Sequence, residues 1–223
     1  MARDPERLRV KTLIFDFDGT LADSFELVME ITYELTGVKP LSKQEEARLR
    51  KLPLLKAVRE VHIPLHQVPR LLIKGRQMML ERIQEVYPFV GIPEVLQTLH
   101  ERGYHMLVIS SNSEKNVRAF LRAHKLESFF DGVYGSASVF NKTGSLRRVL
   151  RRNRLEPADC LYIGDEVRDV VAATRAHIEP VAVAWGYQAP EALAKYHPYA
   201  LLQEPKELLK LLAASGGDLG YLT

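Results

Sequence analysis

Short runs of apolar residues alternate along this chain with longer stretches whose apolar positions recur every three or four residues. The short runs fall at 12–17, 105–110, 132–134, 161–163, 181–184 and, more weakly marked, 199–202. They are apolar on successive positions, the pattern of strands in a parallel sheet covered by helices on both faces. The longer stretches predict helices over 93–101, 113–124, 145–153 and 167–176. Gly103 stops the first, and Ser113 and Ser145 offer capping oxygens to the second and third. This strand, loop, helix rhythm predicts a doubly wound α/β fold.

One segment departs from the rhythm. Between 25 and 87 no strand is evident. Leu27, Ile31 and Leu35 recur at helical spacing, as do Leu49, Leu52 and Leu55, then Leu71, Leu72, Met78 and Met79. Pro53, Pro64, Pro69 and Pro88 punctuate the segment. Its length and several helical runs make it a helical insert rather than one long crossover. The expected organisation is a core of residues 1–24 and 88–223 with an all-helical domain at 25–87. There are no internal repeats, and the Gly-rich tail 214–223 is expected to be loosely ordered.

Composition narrows the class. At 223 residues the chain can bury a substantial core. With 46% hydrophobic and 26% charged residues it is an ordinary globular protein. A formal net charge of +3 suits anionic ligands and is too small to imply nucleic acid. The single cysteine, Cys160, allows neither an intrachain disulfide nor a cysteine metal site. Beside Leu161-Tyr162-Ile163 it reads as a small buried residue at a strand start. The charged N-terminus lacks an apolar run of signal-peptide length, and no stretch approaches 18 apolar residues. A cytoplasmic protein without a membrane partner is expected. "LRRVLRRNR" sets Arg147, Arg148, Arg151 and Arg152 along one helix face, for which solvation is a simpler account than nucleic acid.

Candidate chemistry gathers at four strand ends, the edge where open parallel sheets bind ligands. In "TLIFDFDGTLADS", Asp16 and Asp18 end the first strand two residues apart, so on an extended chain they point the same way. Like charges that close need a cation, and a hard ion such as Mg²⁺ takes oxygen ligands and bridges to phosphate. A solvated acidic loop is the alternative. Gly19 permits a sharp turn there, which Thr20 can help order. In "LVISSNS", Ser110, Ser111 and Asn112 precede a helix, making either an anion site or a plain cap. In "NKTGS", Lys142 sits just before an expected helix start, where the dipole prefers anions; it is a weak functional hint or a surface lysine. "LYIGDEVRD" brings Asp165, Glu166 and Asp169, with Asp165 and Asp169 at i, i+4 spacing. Paired acids, a hydroxyl, a lysine and a second acidic cluster together describe a phosphoryl-transfer site.

That ordered set resembles the haloacid dehalogenase superfamily, specifically its phosphatase branch, over almost the whole chain. "DFDGTLADS" is similar to the first motif, Ser111 to the second, Lys142 to the third, and Gly164-Asp165 with Asp169 to the fourth. "VAVAWGY" resembles phosphoglycolate-phosphatase-like members, whose small helical cap sits where 25–87 lies. The resemblance implies a Rossmann-like core with an inserted cap and a Mg²⁺-dependent phosphatase acting on a small phosphate monoester. By analogy phosphoglycolate comes first, with sugar phosphates and nucleotides open.

It implies Asp16 as nucleophile and metal ligand. Asp18 becomes the acid and base, with its backbone carbonyl on the metal. Asp165 completes the ligands, with Asp169 binding directly or through water. Ser111 and Lys142 hold the phosphoryl group, with Gly19 and Asn112 beside it. Two residues depart from the pattern: Thr143 follows Lys142 where proline is frequent, and His177 stands where glycine is common. Glu166 is expected outside the direct metal ligands. Asp18 sets the chain apart from dehalogenases and phosphonate hydrolases, which lack an acid there. A phosphomutase of the β-phosphoglucomutase type, or a non-catalytic binding protein on the same core, would share these residues. Lys74, Arg76 and Arg82 are candidate cap cations for an anionic leaving group, and Asp23-Ser24 and Pro88-Phe89 candidate hinges. The oligomeric state is not legible.

Overall fold

A computed structural model of the chain describes residues 10–135 and 141–214. The first strand, β1 (Thr12–Phe15), runs into a short ribbon strand, β2 (Ala22–Asp23). Helices α1 (Phe25–Thr36), α2 (Lys43–Leu49), α3 (Leu54–Glu60) and α4 (Val68–Glu81) follow. The chain returns through β3 (Tyr87–Pro88), antiparallel to β2. It then alternates: α5 (Ile92–Glu101), β4 (His105–Ser110), α6 (Glu114–Ala123), β5 (Gly132–Gly135), α7 (Lys142–Asn153), β6 (Cys160–Gly164), α8 (Val167–Arg175) and β7 (Glu179–Val183). A short α9 (Pro190–Ala194), β8 (Ala200–Leu202) and α10 (Glu207–Ala214) complete it.

Six strands form one parallel sheet in the order β5-β4-β1-β6-β7-β8. The order reverses at β1, the doubly wound arrangement that the strand rhythm predicted. β1 pairs Phe15 with Val108 on one side and with Ile163 on the other. Side chains alternate across it. Leu13 and Phe15 enter one core layer with Met106, Val108, Leu161 and Ile163. Ile14 enters the other with Leu107, Ile109, Tyr162 and Leu146 of α7. Both faces being buried explains why the strands read as unbroken apolar runs. Cys160 is buried at the start of β6, as its neighbours suggested, with its thiol on the Glu156 carbonyl.

Several boundaries differ from expectation. β1 ends at Phe15, not at residue 17. The Asp16 amide still donates to the Ile163 carbonyl at 2.8 Å, but the amides of Thr20, Leu21 and Ala22 all turn back onto the Phe17 carbonyl. Asp18 therefore sits in a turn, and strand alternation does not place it. α7 begins at Lys142 rather than Ser145, because Asn141 is the cap and accepts from the Gly144 amide at 3.1 Å. His177 closes α8 with φ of 64°, taking the left-handed conformation that glycine would adopt freely. The loosely ordered tail expected from 214 lies, beyond Ala214, outside the described residues. Among the described residues no helix is long and apolar enough to cross a membrane.

The insert carries no strand of the main sheet. α1 packs on α4, and both chain crossings run side by side in the β2–β3 ribbon, extended by the Phe89 amide on the Leu21 carbonyl at 3.1 Å. Ties from insert to core cluster at the carboxyl edge of the sheet. Arg50 donates through Nε to the Tyr187 carbonyl at 2.7 Å, and the Gln188 amide donates to the Leu52 carbonyl at 2.6 Å. Arg76 donates to the Ser111 carbonyl, and Asn116 donates to the Arg76 carbonyl at 2.8 Å.

Candidate active site

Four chain segments meet at that edge. Asp16 follows β1, and Asp165 and Asp169 follow β6. Their carboxylate oxygens lie within 4.8 Å of one another, and all three residues are buried. Lys142 reaches them from the first turn of α7. Its Nζ donates to Asp16 Oδ2 at 2.5 Å and also to Asp169 Oδ1. A lysine at that helix end opposes the dipole, and these two carboxylates hold it there with only 6% of its side chain exposed. Burial pushes the Asp16 carboxyl up to about 7, with Asp169 adding to the rise and Lys142 and Arg168 opposing it. Burial also raises Asp165 well above the usual range, reinforced by Glu166, Asp169 and Asp16. Burial works against the Lys142 charge, yet Asp16 and Asp169 outweigh it and raise its pKa.

Asp18 stands apart from this cluster. Its Oδ1 accepts from Ser24 Oγ at 2.8 Å and its Oδ2 from Asn112 Nδ2 at 3.0 Å. Burial raises its pKa despite both bonds. Ser24 in turn shares a hydrogen bond of 2.7 Å with the Tyr187 hydroxyl. The two aspartates of the first motif thus occupy different environments, one among acids and a lysine, the other between neutral donors. Different environments of this kind push paired carboxylates toward different roles.

Asp165 is oriented from both sides. Thr20 Oγ1 donates to its Oδ1 at 2.9 Å and the Tyr187 amide to its Oδ2 at 2.8 Å. Two glycines make room for it. A Cβ on Gly19, whose φ is 77°, would lie 2.1 Å from Asp165 Oδ2; one on Gly186 would lie 2.2 Å from Asp165 Cβ and 2.3 Å from the Gly19 carbonyl oxygen. The Gly19 amide is committed to the Ala22 carbonyl at 2.9 Å, so Gly19 supplies space and a turn. Gly186→Ala is expected to displace Asp165 and lower kcat/KM by about 10²-fold, the scale of a 1 Å misplacement. Steady-state kinetics with circular dichroism to verify folding checks this. Activity within threefold of wild type would show that the loop yields without cost.

Ser111 and Asn112 follow β4. Ser111 Oγ accepts from Arg168 at 3.3 Å, and Arg168 is also paired with Glu166. Another guanidinium nitrogen of Arg168, Nη1, is buried without a hydrogen-bond partner. Glu166 is thereby engaged with Arg168, and its amide donates to Asp169 at 3.0 Å. Sequence reasoning placed all eight candidate residues at this edge but gave no site role to Arg168 or Tyr187 and named Ser24 only as a hinge. Arg168 lies inside "LYIGDEVRD", Ser24 inside the first motif and Tyr187 at the end of "VAVAWGY", so all three were on quoted stretches. What singles them out is a partner distant in sequence.

The donor set fits a hard divalent cation. Asp16, Asp165 and Asp169 offer only oxygens, without histidine or cysteine, as Mg²⁺ prefers. These carboxylates and Glu166 face two cations, Lys142 and Arg168, in a buried volume, which leaves negative charge for a metal to offset.

Comparison with known proteins settles the family. A family model described as haloacid dehalogenase-like hydrolase matches residues 13–183. The chain belongs to this family. It is 32% identical over 204 residues to a protein named phosphoglycolate phosphatase from Synechococcus elongatus, covering 90% of this hydrolase and 96% of that relative. It is 25% identical to a protein named pyrophosphatase PpaX from Listeria welshimeri, covering 92% and 97% of the two chains. In fold it is similar to a haloacid dehalogenase-like hydrolase from Streptococcus pneumoniae, with a TM-score of 0.76, 24% identity and coverage of 91% and 98%. It is also similar to a predicted phosphatase from Clostridium acetobutylicum, with a TM-score of 0.79, 21% identity and coverage of 92% and 98%. The sequence-derived resemblance and fold class therefore hold for this hydrolase.

Proposed function

We propose that this hydrolase is a Mg²⁺-dependent phosphatase that cleaves a small phosphate monoester through an aspartyl-phosphate. The observation that carries the proposal is the division of labour between Asp16 and Asp18. Asp16 sits beside Lys142 among the acids that would hold the metal, and Asp18 is held by Ser24 and Asn112 with its pKa raised by burial.

A carboxylate oxygen of Asp16 attacks phosphorus, the bond to the ester oxygen breaks, and Asp18 gives its proton to the departing alkoxide. Asp18, now ionised, takes a proton from water as that water attacks phosphorus, the aspartyl-phosphate bond breaks, and inorganic phosphate leaves. Ser111, Asn112 and Lys142 bound the volume the phosphoryl oxygens would occupy, and Lys142 offsets charge as it develops. Mg²⁺ held by Asp16, Asp165 and Asp169, with the Asp18 backbone carbonyl, would neutralise phosphate oxygens facing these acids. The helical insert acts as a cap, tied over the site by Arg50, Arg76 and Gln188, and selects the leaving group. The names of the relatives make phosphoglycolate and pyrophosphate the first compounds to compare.

The test is hydrolysis of p-nitrophenyl phosphate with Mg²⁺ and after chelation. Turnover that requires Mg²⁺ and returns on its re-addition supports the proposal. A folded, Mg²⁺-supplied protein that hydrolyses neither this ester nor any small phosphate would refute it.

A further inference from the structure

The cap that would choose the substrate borders a half-open cavity of about 270 Å³. Its floor is polar and belongs to the proposed catalytic site: Asp18, Ser111 and Asn112, with Glu166, Arg168 and Tyr187 beside them. Its walls come from α1, α3 and α4 and are almost wholly apolar, among them Ile31, Leu35, Leu54, Val58, Leu71 and Met79. Polar groups on these walls are already engaged. Thr32 and Thr36 donate their hydroxyl protons to α1 carbonyls at 2.7 and 2.6 Å. Arg76, the charged wall residue from the insert, reaches down to the Ser111 carbonyl.

The other cations considered for an anionic leaving group are elsewhere. Arg82 pairs with Glu30 and Glu85 and lines a separate pocket beside Trp185, Gly186 and Tyr187, and Lys74 is exposed on α4. Arg168 also borders the cavity, but at its floor, where it is paired with Glu166 and touches Ser111, so a carboxylate or second phosphate placed between α1, α3 and α4 would lose water and gain little in return, which is costly for a charge. An apolar group would gain from every carbon it buries.

From this cavity we infer that the substrate, given the phosphatase reading on which the inference rests, is a phosphate monoester of an apolar alcohol. The phosphoryl group sits at Asp16 and a hydrocarbon chain or ring fills the space between α1, α3 and α4. A designed cavity of about 150 Å³ takes benzene, so this one has room for a group nearly twice that size. Gly75 supports the assignment. It faces α1 from α4, where a Cβ would meet Ile31 and Leu35 at 3.6 and 3.9 Å, and a longer side chain would enter the cavity.

The experiment is phosphate release from methyl, butyl, hexyl and octyl phosphate and from phosphoglycolate, with p-nitrophenyl phosphate as the reference ester. kcat/KM is expected to rise about threefold to fourfold per methylene until the cavity is full, leaving phosphoglycolate far below hexyl phosphate. Gly75→Leu is expected to cost the octyl ester at least tenfold more than the methyl ester. Leucine is the better helix former, so α4 should persist. A flat or falling series, or phosphoglycolate as the best substrate, with p-nitrophenyl phosphate still hydrolysed, would overturn this inference alone. Absence of Mg²⁺-dependent hydrolysis of every ester would overturn the phosphatase reading with it.

Discussion

Asp16→Asn is expected to lower kcat on p-nitrophenyl phosphate by about 10⁴-fold or more, the scale seen when a covalent nucleophile is removed. The amide keeps the shape of the carboxylate and its position after β1, so the sheet and the Phe17 turn should be unaffected. What disappears is the attacking oxygen. The variant should also fail to give the phosphoenzyme that acid quenching traps in wild type. Intact-mass spectrometry of quenched samples reads this directly. A variant that keeps a tenth of wild-type kcat would exclude Asp16 as the nucleophile and leave direct attack by water as the mechanism.

Lys142→Met is the second large expectation. Methionine fills similar volume without the ammonium that Asp16 Oδ2 and Asp169 Oδ1 accept from. Losing one positioned charge at a developing transition-state charge lowers kcat by about 10²–10³-fold. Folding suffers as well, because buried carboxylates lose their partner, a loss of up to about 3 kcal/mol. Protonation softens the loss, since the Asp16 carboxyl is already pushed up to about 7. Bound Mg²⁺ should soften it further. Thermal unfolding with Mg²⁺ and with chelator should therefore show a smaller gap from wild type when the metal is present. A kcat within tenfold of wild type, or a gap that widens with Mg²⁺, would contradict the placing of Lys142 beside the metal ligands.

The chemistry and the selectivity proposed for this hydrolase lie on different parts of the chain. The residues that would break and remake the phosphate bonds lie on the core, at the ends of β1, β4 and β6 and the start of α7. The cavity walls lie on the insert. Relatives with names as different as phosphoglycolate phosphatase and pyrophosphatase PpaX match most of the chain. One fold can host several activities, so the substrate must be argued from the site and not from the fold.

Much of this was legible along the chain. A strand buried on both faces must be apolar throughout, so 105–110 and 161–163 announced themselves, and so did the edge where their loops meet. Asp16, Ser111 and the acids at 165 and 169 were singled out because strand ends in such a sheet converge. The helical spacing of Leu27, Ile31 and Leu35 marked α1 by the same logic. Each of these signals is local, being a period or a spacing that a few neighbouring residues carry.

What the sequence could not decide depends on partners brought from far along the chain. Alternation suggested that Asp16 and Asp18 face one point, yet the turn at Phe17 and the bonds from Ser24 and Asn112 send Asp18 to its own place. Lys142 looked like a loop residue because its reasons for opening a helix, Asp16 and Asp169, are not its neighbours in sequence. The apolar residues of 25–87 read as a helical insert, and only packing showed that they leave a cavity over Asp18, Ser111 and Asn112. Periodicity tells which side of a helix is apolar. Whether that side closes on another helix or on a ligand is set by volumes and contacts that exist only once the chain has folded.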